Sequence, residues 1–510
     1  MQQNPILLTL TFSIYFAIVW MIGWHAYQRT RDLSDFILGG RKLGTGVAAL
    51  SASASDMSGW LMLGLPGFAY AAGLESLWLA GGLLLGTWAN WRLVARRLRV
   101  FSLAYGNALT LPEYFANRFE DRFGLLRAIS ALFILVFFLF YTSAGLVAGG
   151  KLFESVFGLP YIWAVAVGVL SILIYTAVGG FLAVSWTDVL QGLLMALALI
   201  VVPWVAFGQI GDVGHAFEII GASNPNLLDP FTHADGSALG LIGIVSLAAW
   251  GLGYFGQPHI LARFQAIASP EKIKLARWIA VAWVAITLVG ATLTGLAGIL
   301  VIEQPLQGEA RETVFILLVD LLFHPLIAGF LLAAILAAIM STADSQLLVS
   351  SAAFTEDLYR TLLRRQASAA ELVLVGRLAV ILIALLAFVL ALDPEAMVLD
   401  LVAHAWAGFG AAFGPVLVLS LYWPRMSGLG AIAGILVGGS TVLLWSRLEG
   451  GLFELYEIVP GILLATLAIV LVSRYGPAGP KAEARVKRFA TIAAQLGGKA
   501  QDQKPSARAS

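Results

Sequence analysis

Ser51-Ala52-Ser53-Ala54-Ser55-Asp56-Met57-Ser58-Gly59 lies inside an apolar stretch that runs from about Leu43 to Ala72. A second interruption, Gly251-Leu252-Gly253-Tyr254-Phe255-Gly256-Gln257-Pro258, cuts another apolar stretch in the second half of the chain. Inside a bilayer every backbone polar group needs a partner, and unwound backbone persists only where it lines a cavity or binds something. Two such interruptions, one in each half of a many-helix chain, point to the binding site of a secondary transporter.

The surrounding composition agrees. Of 510 residues, 59% are hydrophobic and 12% are charged. Mean hydropathy is +0.87. A soluble domain carries about 25% charged residues, so composition alone assigns this chain to the membrane. The 53 glycines fit, since small residues let transmembrane helices approach closely. The absence of cysteine excludes disulfides, thiolate metal sites and a cysteine nucleophile. No basic residue precedes the first apolar run, Pro5 to Gly23, and no small-residue cleavage site follows it. The run therefore reads as a first spanning helix rather than a cleaved signal.

A span needs about 20 apolar residues. Thirteen candidates follow, at roughly 4–24, 43–72, 76–95, 124–150, 158–179, 185–209, 238–262, 276–302, 313–347, 373–392, 396–422, 427–446 and 455–473. With the N-terminus outside, all but three of the 31 Lys and Arg residues fall on the inner side; the exceptions are Lys151, Arg311 and Arg447. That asymmetry is what the positive-inside rule requires, and it predicts a cytoplasmic C-terminus. The predicted outer segment 210–237 carries Asp212, Glu218, Asp229 and Asp235 and no Lys or Arg.

Spans two to six and seven to eleven then form two sets of five, and an odd number per set inverts the second relative to the first. Each set opens with a broken segment. The expected organisation is a first helix and cytoplasmic loop at 1–42, repeats at 43–209 and 238–422, and an extracellular loop at 210–237. Two peripheral helices follow at 423–474, then a tail at 475–510. Residues 481–499 suit a short basic surface helix, and the last eleven suit disorder.

Asp56 comes first among candidate site residues. A mid-span acid needs a partner or an ion. Either nearby serines and amides satisfy it, or it attracts a cation. Ser341 and Thr342, within Met340-Ser341-Thr342-Ala343-Asp344-Ser345-Gln346, either bond back to the preceding helical turn or complete an all-oxygen cage for a small hard cation. Asp344, one turn nearer the inside, reads as a solvated exit residue. Tyr141, Trp250 and Tyr254 are an aromatic set; Trp250 and Tyr254 are four apart and share a face in helical backbone. They read either as packing or as walls of a solute pocket. Pro258 supports a kink there. Arg263 reads as a residue snorkelling toward the interface. Thr187 and Asp188 read as the cap of a helix entered from a short turn at Gly179-Gly180, with an ion-path role as the alternative. Pro112-Glu113-Tyr114-Phe115 reads as an amphipathic surface segment.

Four segments together resemble the sodium:solute symporter family, most closely its proline-carrying members. They are Ser53–Trp60, Gly179–Gln191, Gly253–Phe264 and Met340–Leu348, and the likeness covers about residues 1–475. The resemblance implies a leucine-transporter-like fold, a five-plus-five inverted repeat with broken helices, with one helix before the core and two after. It implies sodium held by the carbonyls of Ala54, Met57 and Ala338 and the hydroxyls of Ser341 and Thr342. Asp56, Arg41 and Asp188 would serve sodium coupling. Proline would contact Ser58, Gly59, Tyr141, Trp250, Tyr254 and Pro258. Proline-carrying members often have cysteine near the Ser341 hydroxyl, where this chain has Ala343-Asp344.

The expected function is sodium-driven import of L-proline across the plasma membrane, without enzymatic chemistry and with the bilayer as the only structural partner. Three alternatives compete. One keeps the fold and changes the solute, or replaces sodium by a proton. A membrane solute sensor would normally carry a signalling domain. A membrane hydrolase would need paired histidines and acids, yet His25, His215, His233, His259, His324 and His404 are scattered.

Overall fold

Apolar helices dominate from the first residue that can be placed. The computed structural model describes residues 5–29, 33–477 and 482–496. The last eleven residues of the tail, read above as disordered, lie outside them. Among the described residues there is no β-strand, only two isolated bridges. Ten helices among these residues are long and apolar enough to cross a membrane. The protein is an all-helical, multi-pass membrane protein.

Helix α1 (Pro5–Tyr27) is followed by α2 (Thr45–Asp56), where the first interruption begins. The helix resumes as a wide turn at Trp60–Gly64 and continues into α3 (Leu65–Ala72). The chain reverses at Gly73 (φ 60°) into α4 (Ser76–Asn90), which runs on to Ala104. Then come α5 (Leu125–Phe157) and α6 (Tyr161–Ile210). The spans expected at 158–179 and 185–209 correspond to two helical stretches of α6, Tyr161–Leu173 and Gly180–Ile210, divided by a kink. The kink is at Gly180, whose φ of 62° and ψ of −177° suit a residue without Cβ.

The second half opens with α7 (Leu241–Ala248), a 3₁₀ run at Ala249–Gly256, and α8 (Pro258–Ala266). It continues with α9 (Ile273–Val301), α10 (Pro325–Ala352), α11 (Ala369–Leu390) and α12 (Val398–Tyr422). Two helices close the membrane domain, α13 (Gly428–Trp445) and α14 (Ile458–Tyr475).

The span expected at 313–347 is corrected. Val314–Leu322 is a separate short helix, and α10 starts afresh at Pro325 after Phe323 and His324 leave helical geometry. Proline at the first helical position explains the restart, since its missing N–H would have no partner there anyway. Pro112 lies in the helix Leu111–Phe119, whose apolar side is buried rather than spread on a surface. The tail helix spans Ala482–Ala494 and buries Phe489 and Ile492.

Helix α2 is the axis of the packing. It touches α6, α8, α9 and α10. Its start is tied to the end of α8 by backbone bonds from Leu43 N to Ala266 O and from Ala268 N to Leu43 O. The 3₁₀ run lies between α4 and α12. Backbone meets backbone there: a Cβ on Gly251 would stand 2.0 Å from the Gly82 carbonyl oxygen, and one on Gly256 2.1 Å from that of Phe409. Glycine on both sides permits this approach. An eight-residue 3₁₀ run is longer than such helices usually reach, and its neighbours hold it from two sides.

Candidate functional site at the two helix breaks

At the first break the backbone leaves the α spiral at Met57 (φ −84°, ψ 83°). Ser58 N then donates to Asp56 O at 3.1 Å rather than to Ala54 O four residues back. The Ala54 carbonyl is thereby released, and the Ser341 hydroxyl of α10 donates to it at 2.8 Å. The same hydroxyl lies 3.1 Å from Ala338 O. Three of the five expected sodium ligands are therefore in one place. Thr342 follows on α10, and its buried hydroxyl has no hydrogen-bond partner among the described residues. Met57 is fully buried beside the break. The Ser341 hydroxyl thus bonds back to the preceding helical turn and also reaches across to α2.

Asp56 joins the two breaks. Its Oδ2 accepts from the Tyr254 hydroxyl at 2.5 Å, while Oδ1 is buried with no hydrogen-bond partner among the described residues. Its backbone carbonyl accepts from the Tyr141 hydroxyl at 3.2 Å and from Trp60 Nε1 at 3.3 Å. Asp56 is 1% exposed. The nearby serines do not satisfy the carboxylate; an aromatic hydroxyl from the other half of the chain does.

The aromatic set lies at the second break. Trp250 packs against Trp60 with ring centroids 6.4 Å apart and against Tyr456 at 5.6 Å. Tyr254 meets Trp406 edge-on at 5.0 Å. Trp406 Nε1 donates to Trp250 O at 2.7 Å. Trp250 and Tyr254 stand on 3₁₀ backbone, so the shared α-helical face expected from their spacing is replaced by separate neighbours. Ser58 and Gly59 are buried at the opposite break. A Cβ on Gly59 would come 2.5 Å from Ala148 Cβ, so α5 lies tightly against it. Pro258 opens α8 and faces a small crevice lined by Ile37, Leu38 and Ile134, apart from the other expected solute contacts.

Beneath the first break is a buried ion pair that overturns two expectations. Arg263 does not snorkel: it is 0% exposed, and its Nη2 lies 3.2 Å from Asp188 Oδ2. It also donates to Ser345 Oγ at 2.5 Å and Ser51 Oγ at 3.1 Å. Asp188 accepts from Ser51 at 2.6 Å and Ser55 at 3.2 Å. It is no helix cap, because α6 is continuous there, and Thr187 bonds back to Ala183 and Val184 inside the helix. One guanidinium thus gathers α2, α6, α8 and α10. Losing one partner of such a pair costs about 3–5 kcal/mol. Asp344 is buried as well, and not a solvated residue.

Arg41 is not part of this cluster. It is held at φ 55° and donates to Asn107, Ser102, Ala108 O and Gln265 O at 2.6–3.2 Å. It fastens the segment before α2 to the end of α8. Sequence reading missed a second buried pair, Lys151–Glu312, at 2.7 Å. Glu312 also accepts from Val398 N and Leu399 N, capping α12.

Among the described residues no group of three or more His, Cys, Asp or Glu is arranged to hold a metal ion. The oxygens gathered here are carbonyls and hydroxyls beside one carboxylate, a donor set of hard oxygens suited to a small hard cation.

Known proteins share this architecture. A sodium/proline symporter of Escherichia coli (strain K12) is 49% identical over 493 residues, 96% of each chain. The osmoregulated proline transporter of Bacillus subtilis (strain 168) is 48% identical over 481 residues, 94% of this chain and 96% of the relative. Among solved structures, a Na+-coupled sialic acid symporter in a substrate-bound outward-open state matches with a TM-score of 0.75 at 20% identity, over 92% of this chain and 98% of that one. A nucleobase-cation-symport-1 family transporter matches at 0.52 with 14% identity, over 90% and 99%. These structural neighbours share the leucine-transporter-like fold. The sodium:solute symporter family matches residues 36–438, and the chain belongs to that family: it is a secondary transporter, not an enzyme.

Proposed function

We propose that this protein imports L-proline together with sodium by alternating access across the plasma membrane. The observation that carries the reading is the hydrogen bond from Tyr254 to Asp56, which joins the two helix breaks. Sodium is bound by the carbonyls of Ala54, Met57 and Ala338 and the hydroxyls of Ser341 and Thr342, with Asp56 supplying the attracting charge. Proline lies against Ser58, Gly59, Tyr141, Trp250 and Tyr254, and meets Pro258 as the inner route opens. Its ring suits aromatic walls. Its carboxylate suits backbone N–H groups at the positive end of the half-helix that begins near Ser58. Asp188 and Arg41 serve coupling at a distance, one through the α2–α6–α8–α10 ion pair and the other through its hold on the end of α8. The names of the relatives, proline transporters and sodium/proline symporters, favour this cargo.

The finer architecture belongs to the same proposal. Thirteen spans place the N-terminus outside and the C-terminus in the cytoplasm, with repeats at 43–209 and 238–422 around the loop 210–237 and peripheral helices at 423–474. The distribution of Lys and Arg supports it. Uptake of radiolabelled proline into proteoliposomes is the test. An inward sodium gradient should drive accumulation. A choline gradient or a pH gradient alone should not, and accumulation under the pH gradient would replace sodium by a proton.

A further inference from the structure

His259 is wholly buried, and neither of its ring nitrogens has a hydrogen-bond partner among the described residues. A neutral imidazole carries one N–H donor and one bare acceptor nitrogen. Leaving both dry forfeits the hydration of each without return, and a native protein keeps such a group for a reason.

Position supplies one. His259 is the second residue of α8, directly after the second break. Its ring meets Tyr141 edge-on at 6.1 Å and Phe138 at 5.5 Å. The Tyr141 hydroxyl donates to the carbonyl of Asp56. In the other direction, Arg263 Nη1 donates to His259 O at 2.9 Å, and Arg263 holds Asp188. The order Asp56, Tyr141, His259, Arg263, Asp188 therefore leads from the breaks to the buried ion pair.

We propose that His259 is the floor of the solute site and its first contact on the way to the cytoplasm. This rests on the proline-import reading and its orientation. Proline offers a carboxylate, which accepts from the imidazole N–H, and a secondary ammonium, which donates to the bare nitrogen. Closure buries the ring without partners, and opening toward the inside gives it solute and then water. His259 is a positioning residue for release rather than a holder of the ion.

The chain has no cysteine, so a single His259→Cys substitution can be probed cleanly. A charged, membrane-impermeant maleimide should label it in inside-out vesicles and not in right-side-out ones, and sodium with proline together should slow the reaction. Labelling from neither face, labelling only from the outer face, or labelling indifferent to sodium and proline would each overturn the proposal. A second arm measures uptake. His259→Ala should lower the maximal rate about tenfold with little change in KM, and His259→Asn, which keeps a donor and an acceptor, should restore most of it. Equal loss in both variants would mark the ring as packing and overturn the release role. A wrong solute has its own signature: the unaltered protein would then fail to accumulate proline under a sodium gradient, while labelling of position 259 from the inner face would remain readable.

Discussion

The two helix breaks are built differently. The first is short and polar: within four residues, Asp56-Met57-Ser58-Gly59, it frees a carbonyl, presents a carboxylate and restarts the helix. The second is an eight-residue 3₁₀ run of glycine and aromatic residues, clamped between α4 and α12. The first gathers hard oxygens; the second supplies flat apolar walls. A small cation needs the former and an apolar ring the latter, so under the sodium–proline proposal each kind of backbone distortion would serve one of two recognition tasks. The Asp56–Tyr254 hydrogen bond links them directly, beside the packing of Trp60 on Trp250.

Filling the second break should have the largest effect. Gly251→Val drives a branched side chain into the Gly82 carbonyl. Overpacking of this kind destabilises by about 1–3 kcal/mol or more, and here backbone rather than a flexible side chain must yield. Loss of folded protein on size-exclusion chromatography is the expected outcome; a normal yield would mean that the glycine contact is dispensable.

Altering the first break should spare the fold and remove the coupling. Asp56→Asn keeps the shape and the contact with Tyr254 but removes the charge. Interactions of charged groups of this kind are worth about 1.5–3 kcal/mol, so the sodium concentration giving half-maximal uptake should rise roughly 10- to 100-fold, with membrane levels unchanged. An unshifted sodium titration would remove Asp56 from the account.

Cutting the link between the breaks is gentler. Tyr254→Phe keeps the ring and its contact with Trp406 and removes only the hydroxyl. One such bond contributes roughly 1.5 kcal/mol when an ionised carboxylate accepts it. Proline affinity at saturating sodium should fall by about tenfold, and its response to sodium should flatten. A fall in affinity with the response to sodium intact would separate the breaks and leave the hydroxyl as a solute contact alone.

Much of this was legible in the sequence because the breaks announce themselves. Serines, glycines and an acid do not occur by accident inside an apolar stretch, and hydroxyls on a later span complete an oxygen set. What stayed hidden depends on which way a helix faces. Arg263 near a helix end reads identically whether it points to lipid headgroups or, as here, into the bundle toward Asp188, 75 positions away in sequence. Thr187 and Asp188 look like a cap because the turn at Gly180 is visible in sequence, while the restart of the helix at Gly180 itself, ahead of both residues, is not. The shared face of Trp250 and Tyr254 assumed α geometry, and only the contacts of Gly251 and Gly256 with α4 and α12 reveal the 3₁₀ run. The restart at Pro325 was readable, since proline after Phe323-His324 marks a first helical turn.

The division of labour between the breaks has its most direct test in proline binding to purified protein, titrated with sodium for two mild variants. Thr342→Ala removes one hydroxyl beside the first break, and Trp250→Phe trims one wall at the second. Each change is worth about 1 kcal/mol, or roughly fivefold. The account predicts that Thr342→Ala shifts the sodium requirement and leaves proline affinity at saturating sodium unchanged, while Trp250→Phe does the reverse. Equal shifts of both quantities in both variants would contradict it.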